Sequence, residues 1–368
     1  MKSRANSPLT MQAKFYLGEH AAKEFQSIWD EWVSADHEST VMDTARFASF
    51  VFSEVPRNFA AGIAVVRDRQ GLAGLLPFRF QHSIAGLPTR RLVTWGFGAR
   101  ATGTSLTDIH RAVAKATIAR DAAVINFVIP STLTPGSHEP FKAKGITPLA
   151  PKPGYIPLGA SWESYLTNQP QKFRRLLRYT VKKAVGQGWT LREREDHSEA
   201  IELANQLNDR WQNQHYPQYR GRYRALQRDA SLAPHFSGHG LRVFSLERDG
   251  HVASVVYGIQ HRGRFSLLRQ GNAPEFLSIS PSTSLRGLVL QQLIPEGIHA
   301  LDVVGGTEGY WKAEEGPRQM QVLHRPGFIP SVHRLVFDAV AAHKRSRIVT
   351  ATRAAVARLA PRLAAQAI

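Results

Sequence analysis

Two stretches decide the reading of this sequence: Ser278-Ile279-Ser280-Pro281-Ser282-Thr283-Ser284 and, further on, Ala300-Leu301-Asp302-Val303-Val304-Gly305-Gly306. Three strand-like segments, starting at Leu241, precede the first. Ser280 is suited to cap a helix, and Pro281 to its first position, where a missing N–H is no loss. Leu285, Leu288 and Val289 then face a core. The second stretch is an apolar strand carrying an acid and closed by two glycines, which open the chain at a cleft. A strand feeding a helix start offers free N–H groups and a helix dipole to a phosphate. The candidate cofactor-binding residues are therefore Ser280, the N–H groups of Ser282, Thr283 and Ser284, and Arg286. An ordinary helix start is the competing reading.

Asp302 stands among Leu and Val, and an unpaired charge is costly to bury. Its carboxylate is either a general base or anchor for a substrate amine, or half of an ion pair with Lys312 or Arg269. Glu308 is the next carboxylate along and the second candidate base. Tyr310 can protonate a leaving group and Lys312 can bind a carboxylate or phosphate, against a packing aromatic and a surface lysine. Arg269, Lys312 and Trp211 are the candidate substrate-binding residues.

Outward from this region, one plan occurs twice. The stretch from Val66 to Phe78 lies over that from Leu246 to Gly258 with one gap, each reading as strand, tight turn with Asp and Gly, and strand. A third strand follows in each half (Arg91 to Phe97, and Arg264 to Arg269). Next come a helix (Ser105 to Arg120, and Pro281 to Leu293) and an apolar strand (Ala123 to Ile129, and Ile298 to Val304). The shared β-β-β-α-β order predicts a duplicated α/β fold, α+β in its mixed sheets. A link over 146–159, with Pro148, Pro151, Pro153 and Pro157, marks the boundary. The expected domains are thus 1–150, a degenerate copy, then 151–330, and a basic amphipathic helical tail over 331–368. Helices are predicted from Trp162 to Leu166, from Phe173 to Val185 and from Ala200 to Trp211. In the second, Phe173, Leu177, Val181 and Val185 share one face while Arg175, Arg178 and Lys182 line another. Residues 212–240 read as a loop or lid.

A length of 368 residues makes two domains the default, and 43% hydrophobic with 21% charged residues describes a folded chain. The absence of cysteine excludes disulfides, thiolate metal sites and a cysteine nucleophile. No signal-peptide core lies between Met1 and Lys14, and no apolar run approaches the ~18 residues of a membrane span. The expected location is cytoplasmic, at most peripheral at the inner membrane. Fifteen histidines without acidic companions at ligand spacing predict no metal. Dinucleotide, P-loop, serine-elbow, zinc-finger and RNA-recognition signatures are all missing. The net charge of +18 calls for anionic partners. It concentrates in residues 171–192 and in the tail, where Ile348, Val349, Val356, Leu359 and Leu363 share roughly one face. That face fits an anionic membrane or the chain's own domain.

The second half resembles the CelD-like, FemAB-related branch of the GNAT acyltransferase superfamily. The resemblance rests on Trp162, Tyr165, Phe173-Arg174-Arg175 and Arg178, on Trp211, and on the paired strands from Arg242 to Gln260. It continues through Ser280-Pro281 with Leu285, Asp302-Val303-Val304-Gly305, and Tyr310 with Lys312. It covers roughly Ser161 to Gly316 and implies tandem GNAT-like domains. The implied co-substrate is acetyl-CoA or a longer acyl-CoA. The acceptor would be a small amine from envelope, polysaccharide or lipid metabolism, with Tyr310 protonating the departing thiolate. A Fem-type transferase using aminoacyl-tRNA, with the 171–192 stripe on RNA, and an inactive module docking at a membrane are the alternatives. Gln270-Gly271-Asn272 stands where the family often has Gly-Tyr-Asp, and a Gly-rich pyrophosphate loop is absent.

Overall fold

The computed structural model describes residues 11–36, 39–54, 59–84, 87–96, 98–118, 124–129, 147–148, 153–215, 231–303, 314–315 and 318–323. In chain order the elements begin with β1 (Gln12–Leu17), α1 (Glu19–Glu24), α2 (Gln26–Ala35), α3 (Ala45–Ser53), β2 (Phe59–Asp68), β3 (Gly71–Ile84) and β4 (Leu87–Thr94). Then come β5 (Ala99–Arg100), α4 (Leu106–Ile118), β6 (Val124–Ile129), β7 (Thr147–Pro148), β8 (Pro153–Pro157), α5 (Trp162–Asn168) and α6 (Gln171–Gly186). The rest are β9 (Thr190–Arg194), α7 (His197–His215), α8 (Leu232–Phe236), β10 (Leu241–Arg248), β11 (His251–His261) and β12 (Arg264–Asn272). They end with α9 (Pro281–Leu293), β13 (Ala300–Val303), β14 (Glu314–Glu315) and β15 (Arg318–Leu323).

These elements form two compact units, one from the described residues up to 148 together with 318–323, the other from those within 153–315. The first sheet runs β1-β2-β3-β4-β6-β15-β7, with β5 on β3, and the second runs β9-β10-β11-β12-β13-β8-β14 when read from its other edge. The two orders match position by position. In each, the only described parallel pair is the one spanned by the crossover helix: β4 with β6 across α4, and β12 with β13 across α9. Helices cover both faces, so the strands read as nearly unbroken apolar runs. In the first unit Ile63 and Val65 pack with Trp29 and Ala48 from the helices before β2, while Ala64, Val66 and Leu76 pack with Ile109 and Val113 of α4. In the second, Phe244, Val256, Phe265 and Leu301 pack with Tyr165, Leu177, Leu285 and Val289.

The hairpins expected at Asp68 and Asp249 are present and share an irregularity. Val66 opposes Gly74 and Arg67 opposes Leu72, leaving Ala73 extra, while Leu246 opposes Ser254 and Glu247 opposes Val252, leaving Ala253 extra. Those two alanines coincide when the hairpin sequences are aligned. The repeat is also longer than β-β-β-α-β, because each copy begins with a further strand and helices: β1 with α1 to α3, and β9 with α7 and α8.

Four expectations need amendment. The proline-rich link is not a bare crossing: β7 and β8 are strands, with Pro153 and Pro157 at the ends of β8 where a missing N–H is tolerated. Residues 318–323, expected within the second domain, pair with β6 of the first sheet from Arg318 opposite Ile129 to Leu323 opposite Val124. On α6, Val185 is exposed and Ala184 buried, since a strict four-residue repeat rotates away from the core of a 3.6-residue helix. Within 212–240, α7 runs on to His215 and α8 forms, while 216–230 and the tail 331–368 lie outside the described residues.

Candidate functional site

Among the described residues, β12 and β13 pair in parallel from Arg264 opposite Ala300 to Leu267 opposite Val303, the last described residue of that stretch, and β12 runs on to Asn272. At the same level β12 is irregular: Gly258 of β11 opposes Leu267 and Tyr257 opposes Arg269, so Leu268 is extra. Such a bulge turns the strand and resets which side chains point where. Gly258 is required beside it, because a Cβ there would lie 2.4 Å from the Ser266 carbonyl oxygen and 2.6 Å from Phe265 Cζ.

After β12 the chain passes a 3-10 turn (Pro274–Ile279) and enters α9 through Ser280, at φ 51° and ψ 60°. Asp249 and Arg262, the other described non-glycine residues with positive φ, sit with Gly250 and Gly263 in two-residue hairpin loops that demand it. Ser280 has no hairpin to excuse it, and a left-handed serine is a strained conformation of the kind kept at functional sites. This corrects the expected cap. The Ser280 side chain makes no capping hydrogen bond, and its carbonyl accepts the N–H groups of Thr283 and Ser284, each at 3.0 Å. Of the three expected donors, only the Ser282 N–H is left without a partner among the described residues. The Ser284 hydroxyl is a core group, fully buried and bonded to the carbonyls of Ile279 (2.7 Å) and Thr180 (3.1 Å).

Gln270 ties α9 to the sheet. Its amide nitrogen donates to the Ser282 carbonyl (3.1 Å) and to Ser254 Oγ (3.0 Å), and its oxygen accepts from Ser282 Oγ (3.2 Å) and Arg286 Nε (2.6 Å). Burial pulls the Arg286 guanidinium below its ordinary pKa, with Tyr165 nearby acting the other way. Burial likewise pushes the Tyr165 phenol up, and its hydroxyl is buried without a hydrogen bond among the described residues. Lys183 of α6 donates to the Ser278 carbonyl at 2.7 Å, which brings a cation to the entrance of α9. An acid is missing from the first turn of α9.

Asp302 is buried, its Oδ2 accepts from Ser266 Oγ at 3.0 Å, and its Oδ1 lies 3.9 Å from Arg264 Nη1. That guanidinium covers the Tyr155 ring, 5.3 Å from its centre. The expected ion pair therefore exists, but its cation is Arg264, the first residue of β12. Burial raises the Asp302 carboxyl above its ordinary 3.8, opposed by Arg264, the Ser266 hydrogen bond and His299.

Strand register assigns these groups to opposite faces of the sheet. Gln270 opposes Val256 on the side of α6 and α9, whereas Arg269 opposes Tyr257, whose hydroxyl bonds Asn205 of α7 at 3.4 Å. Ser266 opposes Ile259 and Asp302, so the parity of the pairing sends Asp302 to the α7 face as well. The expected cofactor residues and Asp302 thus lie on opposite faces of the sheet. Trp211 is on α7, half-buried. One turn after Asn205, Asp209 has an oxygen excluded from solvent and unpartnered among the described residues. Desolvation raises its pKa and Arg269 opposes the rise. Lys183, Gln270 and Asp209 were missed in the sequence. An acid one turn after Asn205 on α7 was the available signal for Asp209, while Gln270 becomes legible only with the bulge. Glu308, Tyr310 and Lys312 lie outside the described residues. Among the described residues no three histidine or acidic side chains converge as metal ligands, and no helix is long and apolar enough to cross a membrane.

Residues 171–312 match the model of the acetyltransferase (GNAT) domain. No curated protein sequence matches the chain. Among solved structures, a conserved protein of unknown function from Bacteroides thetaiotaomicron VPI-5482 superposes with a TM-score of 0.59 at 13% identity, covering 85% of this chain and 100% of that one. FemX superposes with a TM-score of 0.58 at 11% identity, covering 84% and 98%. At such identities the likeness is one of fold: a mixed α/β chain of two GNAT-like units, the second of which carries the acetyltransferase-domain match.

Proposed function

We propose that the chain is an acyl-CoA-dependent N-acyltransferase of the CelD-like, FemAB-related kind, acting on an amine of an envelope, polysaccharide or lipid precursor. The observation that carries this is the start of α9, with its free Ser282 N–H, Gln270 and Lys183, at the C-terminal end of β12, and Asp302 on β13, the strand paired in parallel with β12. A ligand at the C-terminal ends of parallel strands is the general rule for such sheets. The residues present fit a CoA phosphate: the free Ser282 N–H, the dipole of α9, an acid-free first turn and Lys183 beside it. The pantetheine arm would then run toward the α7 face, where the register places Asp302.

There the amine nitrogen attacks the thioester carbonyl, the C–N bond forms and the C–S bond breaks. One proton leaves the amine and one reaches the thiolate, giving an amide and free CoA. Backbone at the Leu268 bulge is the available donor to the carbonyl oxygen. Asp302, whose burial makes it a stronger base than an exposed carboxylate, would take the amine proton. Glu308 is the second candidate for that step, and Tyr310 would protonate the thiolate. Arg269, Trp211 and Lys312 would contact the acceptor. No covalent enzyme intermediate is required.

A second donor, aminoacyl-tRNA, is favoured by the exposed basic face of α6 and by the likeness to FemX. Calorimetry of the full chain with acetyl-CoA, longer acyl-CoAs and aminoacyl-tRNA separates the two. Saturable acyl-CoA binding is expected, and binding of aminoacyl-tRNA without acyl-CoA would replace the donor.

A further inference from the structure

The outward face of α6 has an unusual composition for a surface. Five large apolar residues are exposed among the described residues: Leu17, Leu176, Tyr179, Val185 and Leu277. Three are on α6, and Leu277 is in the 3-10 turn that Lys183 holds through the Ser278 carbonyl. Leu176, Tyr179 and Lys183 follow at helical spacing along one flank, with Leu277 beyond Lys183. Leu176 is 40%, Leu277 50% and Tyr179 63% exposed, so the patch stands clear of the core that Phe173, Leu177 and Val181 build on the opposite side. Along its border Lys172, Arg175 and Lys182 are exposed and form no ion pair among the described residues. The helix contains no acid, and the one carboxylate paired to it among the described residues, Glu163, is taken by Arg178 at the far edge.

We propose that this face of α6, with Leu277, docks on an anionic lipid surface. Unpaired cations around the rim are drawn to anionic headgroups, and the ammonium groups of Lys172 and Lys182 can stay among them while their stems lie flat. Leu176, Tyr179 and Leu277 enter the boundary between headgroup and acyl chain, where Tyr keeps its hydroxyl wet. RNA would use the cations and Tyr179 but has nothing for two leucines to bury against. The patch therefore fits lipid better than nucleic acid. The basic stripe of the second unit takes the role that sequence alone gave to the tail. The inference stands on exposure and charge and is independent of the donor and acceptor of the reaction.

The test is co-sedimentation of the full chain with phosphatidylcholine vesicles, with and without phosphatidylglycerol, across a salt series. Sedimentation is expected only with phosphatidylglycerol. Leu176→Ser/Tyr179→Ser/Leu277→Ser should weaken partitioning about tenfold or more, and Lys172→Glu/Arg175→Glu/Lys182→Glu should abolish it. All six positions are exposed, and an unchanged melting temperature confirms that the variants fold. Wild-type chain that ignores the vesicles overturns the proposal, as does a serine variant that sediments like wild type. If wild type ignores vesicles yet retards tRNA on a gel, and the glutamate variant does not, the face is an RNA surface instead.

Discussion

Asp302 is held between opposing forces. Burial disfavours its charge, while Ser266 at 3.0 Å and Arg264 at 3.9 Å favour it. The net direction is upward from 3.8. Folding therefore prefers the neutral acid, and the linked stability is fully present below the unfolded pKa and lost as pH rises through the folded one. Asp302→Asn should leave stability near neutral pH unchanged or higher, which urea melts across a pH series will show. If the carboxylate is the base, turnover of the same variant should fall about 10²-fold. The acidic limb of the rate profile, set by a group titrating above 3.8, should vanish with it. Full activity would make Asp302 the structural partner of Arg264 and Tyr155, leaving Glu308 or Asp209 as the base. Asp209 answers to a different accounting: a carboxylate oxygen out of water and without a donor is expensive unless something comes to meet it.

At the scale of elements, the site depends on how closely helices approach the sheet. Gly271 of β12 lets α7 descend until the Ala204 carbonyl oxygen would stand 2.1 Å from a Cβ at that position. Backbone cannot step aside as a side-chain tip can, so Gly271→Ala should cost about 3 kcal/mol, the upper part of the range for overpacking. The same shift would displace Asn205 and Asp209, so acceptor affinity should suffer with stability. Denaturant melts and acyl-CoA calorimetry on one preparation separate this α7-side damage from the α9 side. These contacts also show what a sequence can and cannot display. The limits of α9, from Pro281 to Leu293, and both Asp-Gly hairpins were legible because local signals fix them. Asp302 in an apolar strand announced itself by being out of place. The Gln270 linkage was not legible, because the extra residue Leu268 inverts the alternation of β12 and sends Gln270 to the α9 face. Ser280 misled for a similar reason: its residue type suits a cap, but from its left-handed backbone the side chain makes no capping hydrogen bond. The β15 strand is a long-range pairing, and nothing local in Arg318–Leu323 reveals its partner.

For the molecule as a whole, duplication raises the question of whether both copies act. Their parallel pairs begin alike, Arg91 opposite Val124 and Arg264 opposite Ala300, so Asn126 occupies the register position of Asp302. An amide there cannot accept a proton at working pH. The crossover helices differ in the same sense. α4 has Asp108 as its third residue, paired with Arg111, where α9 has Thr283. Asp108 places the protein's own negative charge on the end of α4 that would otherwise favour a phosphate, whereas α9 leaves that end open. Calorimetry should accordingly give one acyl-CoA per chain, and two would restore the first unit as a binding site. The comparison also supplies a sharper variant. Thr283→Asp installs on α9 the acid that α4 already carries, at a half-buried position whose N–H already bonds Ser280. An acid in the first turn suits a helix dipole, so the fold should be unharmed while acyl-CoA affinity falls about tenfold or more by like-charge repulsion. The loss should shrink as salt is added. If the variant binds acyl-CoA as wild type does, the phosphates lie elsewhere than at the start of α9, and Asp302 would have to be reached from another side.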